Sequence, residues 1–187
     1  MHRTADAFIS LLQPHYNSAL QYCRALYRNH KDAEDGLQDA LIDSMRHFKT
    51  LRDESKFKSW FFTIITRTFY RSKRREANNQ KLLVALEEGH HAFPEVYNDD
   101  DLGGREKILL AALDTLSEKE KTAVLLFEIG GLSLEEIRKA QMEKSISAIK
   151  SRLSRTRLKL RNTISEMERL NNEKGGKYDI KSCRGGE

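Results

Sequence analysis

The chain has 187 residues and a formal net charge of +5, with 39% hydrophobic and 33% charged residues, two prolines and two cysteines. That length suits one domain or two small ones with modest cores, and so few breakers among so many Leu, Lys, Arg, Glu and Ala favour an all-α fold. No apolar run approaches the roughly 18 residues of a membrane span, MHRTADAFIS lacks the apolar stretch of a signal peptide, and Cys23 and Cys183 have no disulfide or metal spacing, so a reducing cytoplasm is expected.

The first 75 residues form one helical domain by pattern. Asp32-Ala33-Glu34-Asp35 opens a helix, with acids at the positive end of its dipole. Asp32, Asp35, Asp39 and Asp43 recur at helical spacing on one face, while Ala33, Leu37, Ala40, Ser44 and Phe48 point the other way. A row of like charges costs a few tenths of a kcal/mol per pair. It reads as a docking face for a basic partner or as an ordinary solvated face. FKSWFFTIITRTFYRSKRR follows. Phe57, Phe61, Ile64, Ile65 and Thr68 make its apolar face, and Trp60, Thr63, Arg67, Arg71 and Arg74 line a neighbouring one, with Tyr70 beside them. Five Lys or Arg and no acid lie between Arg67 and Arg75. Arginines that hold phosphates beside a ring that stacks on an unpaired base suit melted DNA.

Residues 76–107 carry eight acids against three bases, together with Gly89, Pro94, Gly103 and Gly104. They read as an acidic linker, with a short helix near Lys81–Glu88.

The second helical domain is expected over 108–172. Ser117 and Glu120 form a capping box for a helix over Glu118–Glu128, which Gly130-Gly131 ends. Ser133 and Glu136 form another for a helix reaching about Gln141, the turn Met142-Glu143-Lys144 follows, and Ser145 is placed to cap a basic helix. From Lys144 to Arg161 there are seven Lys or Arg and no acid. Ile146, Ile149, Leu153, Leu160 and Ile164 share one face of that helix, with Thr156 between them. Ser147, Ser151, Ser154, Arg155 and Lys159 lie roughly opposite, flanked by Lys150 and Arg152. Short hydroxyls and guanidinium forks behind a second short helix are what a helix-turn-helix presents to the major groove. Residues 173–187 are polar and Gly-rich and read as a mobile tail.

In this order and separation, the segments resemble a bacterial RNA polymerase sigma factor of the extracytoplasmic-function (group IV, sigma-70 family) type, over roughly Phe8–Arg75 and Leu113–Arg161. The resemblance implies two helical domains, regions 2 and 4, joined by a flexible linker. DAEDGLQDAL resembles region 2.2, so Asp32, Asp35, Gln38, Asp39 and Asp43 would face the polymerase β′ clamp helices. FKSWFFTIITRTFY resembles regions 2.3 and 2.4, so Trp60, Arg67, Arg71 and Arg74 would meet the −10 element. LSEKEKTAVLLFEIGGLSLEEI with SAIKSRLSRTR resembles region 4, so Ser147, Lys150, Ser151, Arg152, Ser154 and Arg155 would meet the −35 element. Core RNA polymerase, including its β flap, and promoter DNA are the implied partners, along with an anti-sigma factor; membrane insertion is not implied. The chain would open promoters and supply no catalysis.

Three positions depart from the family pattern. Arg67 stands where Asn is common, Arg71 where Asp is common, and Arg138 where a small residue is usual. The turn after Arg138 also lacks the usual Gly and runs one residue longer. The runner-up function is a stand-alone helix-turn-helix regulator that does not act through core polymerase. An enzyme is not expected: the six His have no ligand spacing, and no metal or cofactor is implied.

Overall fold

The computed structural model describes residues 4–27, 29–84 and 103–173, and all regular structure among them is helical. In chain order the helices are α1 (Ala5–Leu12), α2 (Tyr16–Leu26), α3 (His30–His47), α4 (Phe57–Val84), α5 (Gly104–Asp114), α6 (Glu118–Glu128), α7 (Leu134–Ala140) and α8 (Ile146–Glu173). Local chemistry sets most of the boundaries. Thr4 caps α1 by accepting from the Ala7 amide at 3.3 Å, and Asn29 caps α3 by accepting from the Asp32 amide at 2.7 Å. Both expected capping boxes form: the Ser117 amide donates to Glu120 at 3.0 Å, and the Ser133 amide to Glu136 at 2.9 Å.

Helices α1–α4 make the first module. The inward face of α3 is as the sequence indicates, with Ala33, Leu37, Ala40, Ser44 and Phe48 all buried. Gly36 lets α3 approach closely. A Cβ added there would lie 2.5 Å from the ring of Tyr27, which is itself buried edge-on against Phe69. The free thiol Cys23 is buried in this core, and burial pushes its pKa up to about 12, which leaves it inert.

Helices α5–α8 make the second module. Its apolar centre is built from Leu113, Val124, Leu126, Ile137, Ile149 and Leu153. Buried Lys121 bonds Asp114 at 2.7 Å and ties the start of α6 back to α5.

The two modules share one continuous buried cluster. Helix α6 packs on α2 and α7 packs on α4. The Tyr70 hydroxyl lies 2.6 Å from Thr122 Oγ1 across this seam. Helix α4 buries more than the single face its periodicity suggests: Phe62 and Thr66 meet Tyr22 of α2, and Phe69 lies edge-on to Tyr27.

Helical structure also enters the acidic segment from both sides. Lys81–Val84 continue α4, and α5 begins at Gly104; the remainder of the short helix expected near Lys81–Glu88 lies outside the described residues, as do residues 174–187 of the expected tail.

Glycine inside a helix usually costs about 0.5–1 kcal/mol relative to alanine. At position 36 the overlap with Tyr27 reverses that sign. Gly36→Ala should lower stability by about 1–2 kcal/mol, read as a lower urea midpoint at unchanged slope. A raised midpoint would show that Tyr27 yields without cost.

Candidate nucleic-acid interface

Three charged faces were expected, and the structure sorts the residues of each. On α3, Asp32, Asp35, Gln38 and Asp39 are exposed. Asp32 is engaged by its cap, accepting from Asn29 Nδ2 at 2.9 Å. Among the described residues, Asp35 and Asp39 make no ion pair. Asp43 differs: it is half-buried and pairs with Arg71, with Arg46 at 3.8 Å. Two large apolar side chains flank the acidic row on the same helix, Ile42 at 49% and Met45 at 47% exposure. Sequence reasoning did not single them out, because single apolar residues off the main apolar face carry no signal until the packing is known.

On α4, Arg67 and Arg74 are exposed and make no ion pair among the described residues. Arg71 is drawn aside: its Nη2 donates to Asp43 and, at 3.2 Å, to Thr68 Oγ1. The last aspartate of one expected face and an arginine of another thus neutralise each other and clasp α3 to α4. Trp60 is half-buried against Phe57 at 5.7 Å and Phe48 at 6.4 Å, so one ring edge belongs to the core. Tyr70 is committed to Thr122 across the seam, and burial raises its pKa.

The third face is on α8. Ser145 caps it, with Oγ accepting from the Ala148 amide at 3.2 Å. Ile149, Leu153 and Thr156 are buried, and Ile164 is half-buried, as is Leu160, which packs against the core. Ile146 departs from the expected apolar face. It sits in the first turn, beyond the edge of the core, and is exposed. Ser147, Lys150, Ser151, Ser154 and Arg155 are exposed, and the last four of these line one shallow open cleft.

Three other cations of α8 are occupied internally, while Arg161 is exposed and makes no ion pair among the described residues. Arg157 donates to Glu128 at 2.7 Å and covers the Phe127 ring at 4.7 Å. Lys159 donates to the Thr115 carbonyl at 2.8 Å, near the end of α5. Arg152 points inward, bonding Gln141 at 2.6 Å and Glu143 at 2.7 Å. Among the described residues, Lys150 and Arg155 make no ion pair.

The turn before α8 runs from Gln141 to Ser145, and Met142 takes a left-handed conformation at φ 53° where a glycine would be at ease. Arg138 holds it from one side, bidentate on Glu135 and donating to the Glu143 carbonyl at 3.0 Å. That pairing holds the Glu135 carboxyl down at about 2. Hydrogen bonds from Arg152 and Lys119 likewise hold Glu143 below the usual carboxylate range. No group of three or more His, Cys, Asp or Glu comes together as metal ligands would among the described residues, and none of their helices is long and apolar enough to cross a membrane.

Two small helical modules, the second carrying a helix-turn-helix with unpaired Lys150 and Arg155 on its exposed face, have the character of a DNA-binding protein. Residues 11–79 match the family model Sigma-70 region 2, and residues 106–160 match Sigma-70, region 4. The chain is 30% identical over 156 residues to the RNA polymerase sigma factor SigV of Bacillus subtilis, covering 81% of this chain and 87% of that protein. It is 30% identical over 163 residues to the ECF RNA polymerase sigma factor SigE of Mycolicibacterium smegmatis, covering 83% of this chain but only 61% of that longer relative. Among solved structures, the sigma factor RpoE of Bartonella quintana, in complex with the anti-sigma factor NepR, matches with a TM-score of 0.70 and 26% identity, covering 86% of this chain and 98% of that one. The chain belongs to the sigma-70 family, in its extracytoplasmic-function group, whose members are DNA-binding factors that direct transcription initiation.

The left-handed conformation costs a residue with a Cβ roughly 1–2 kcal/mol, and Met142 is 74% exposed, so its side chain returns little packing. Met142→Gly should therefore raise stability by about 0.5 kcal/mol after the greater freedom it gives the unfolded chain. Met142→Ala, which keeps the Cβ, should leave the denaturant midpoint where it is.

Proposed function

We infer that this chain docks on core RNA polymerase through α3 and carries two DNA-reading faces to the promoter. Asp32, Asp35, Gln38 and Asp39 meet the basic surface of the β′ clamp helices, and Ile42 and Met45 give that contact an apolar flank. Trp60, Arg67 and Arg74 lie on the −10 side; Arg71 joins them only where its pair with Asp43 is given up. Ser147, Lys150, Ser151, Ser154 and Arg155 lie in the −35 major groove, and the second module touches the β flap. The chain acts in the cytoplasm, and chemistry belongs to the polymerase. An anti-sigma factor is a fitting partner, since the Bartonella relative is found with one.

The observation that carries the reading is the division of labour along α8. Arg152, Arg157 and Lys159 are spent on internal bonds, while Lys150 and Arg155 stay unpaired beside three serines. A stand-alone regulator has no use for the exposed, unpaired Asp35 and Asp39.

Run-off transcription with core polymerase tests the docking claim. Charge reversal at Asp35 and Asp39 together should reduce promoter-dependent transcript at least about tenfold, by repelling a basic partner, with the helical circular dichroism unchanged. Full transcript from that variant would favour the stand-alone regulator. For the −35 contact, Lys150→Ala and Arg155→Ala should each lower the slope of log affinity against log salt by about one, because each phosphate contact releases one counterion. An unchanged slope would remove α8 from the DNA.

A further inference from the structure

Arg152 lies in the middle of the basic helix, yet its side chain is only 17% exposed. Its Nη1 donates to Gln141 Oε1 at 2.6 Å and its Nη2 to Glu143 Oε1 at 2.7 Å. Gln141 is buried and fully engaged, its Nε2 donating to the Lys119 carbonyl at 2.9 Å and to Thr122 Oγ1 at 2.7 Å. The same Glu143 oxygen accepts from Lys119 Nζ at 3.1 Å, and the Glu143 carbonyl accepts from Arg138 at 3.0 Å. Glu143 is therefore gripped by cations from α6, α7 and α8 at once. The grip falls on the residue after Met142, the one non-glycine with positive φ among the described residues.

These bonds do for the turn what a glycine cannot. A glycine would relieve the strain, but it would leave the exit angle of α8 loose. A residue held by three cations, two on its carboxylate and one on its main-chain carbonyl, fixes that angle. For Arg152 to reach a phosphate it would have to abandon two charge-assisted bonds, leave the Gln141 carbonyl buried without a donor, and expose Glu143 to the same phosphates.

We propose that Arg152 is a positioning residue: through Gln141 and Glu143 it sets the angle at which α8 enters the groove, and so sets which −35 bases the serines and Arg155 read. The proposal rests on the reading of α8 as the −35 helix.

The test uses the full chain assembled with core RNA polymerase, and a pool of duplex oligonucleotides randomised across the −35 element. Arg152→Gln and Glu143→Gln should each broaden or shift the selected sequence in the same way. Each should weaken binding to the wild-type choice on the order of tenfold, the worth of a charge-assisted hydrogen bond, while the salt slope stays at the wild-type value. The double variant should be no weaker than either single one, because both break one clasp. Arg152→Lys, which keeps the charge but not the fork, should behave like Arg152→Gln rather than restore the wild-type preference. A salt slope lowered by about one in Arg152→Gln, as for Lys150→Ala, would place Arg152 on a phosphate and overturn the proposal. So would an unchanged selected sequence in Glu143→Gln, a variant that keeps Arg152 and guards against loss of folding in the other. If Lys150→Ala and Arg155→Ala also leave affinity and slope at wild type, the failure belongs to the DNA reading of α8 itself.

Discussion

The aromatic ridge of α4 is the constraint on which the rest of the molecule hangs. Phe57, Phe61, Phe62 and Phe69 are almost wholly buried, each worth about 1.5–3 kcal/mol against exposure. They fix α4 against the remainder of the first module. Because they occupy so much of the circumference, only a strip of α4 is left for Arg67 and Arg74, and Trp60 is split between core and surface. The same crowding brings α3 close enough for Arg71 to reach Asp43, and makes Gly36 necessary where Tyr27 wedges between the helices. The placement of the acidic row and of the arginine strip is thus one packing problem with one solution.

Much of this was legible in the amino-acid order. Helix ends were the clearest, because a capping box is a local object: Ser117 with Glu120 and Ser133 with Glu136 satisfy each other within one turn, whatever surrounds them. The buried face of α3 and the cap at Ser145 were readable for the same reason. What was not readable depends on distance along the chain. The partners of Arg71 and Arg157 lie 28 and 29 residues away, and that of Lys159 lies 44 away. No periodicity tells a cation that will find such a partner from one that will not. A count of charges along α8 therefore overstated the charge free of internal bonds, and could not show that Arg152 faces the turn. Ile146 was read as core for the opposite reason, since helical spacing cannot show that the core of its own module stops short of the first turn.

The turn of the helix-turn-helix is braced by charge. Arg138 bonds the Glu143 carbonyl beside a left-handed Met142, and Lys119 and Arg152 bond the Glu143 carboxylate. The same set of bonds accounts for the inward turn of Arg152.

The shared core has a consequence for reach. With Tyr70 bonded to Thr122 and the two modules sealed by one apolar cluster, Arg67 and Arg155 ride on a single body. A compact chain of this length has a radius of gyration of about 16 Å. Two DNA sites two helical turns apart are separated by about 70 Å. No rigid body of that size touches both. Were the two faces proposed for DNA to engage sites so far apart, the seam would have to part, at the cost of the apolar surface it buries.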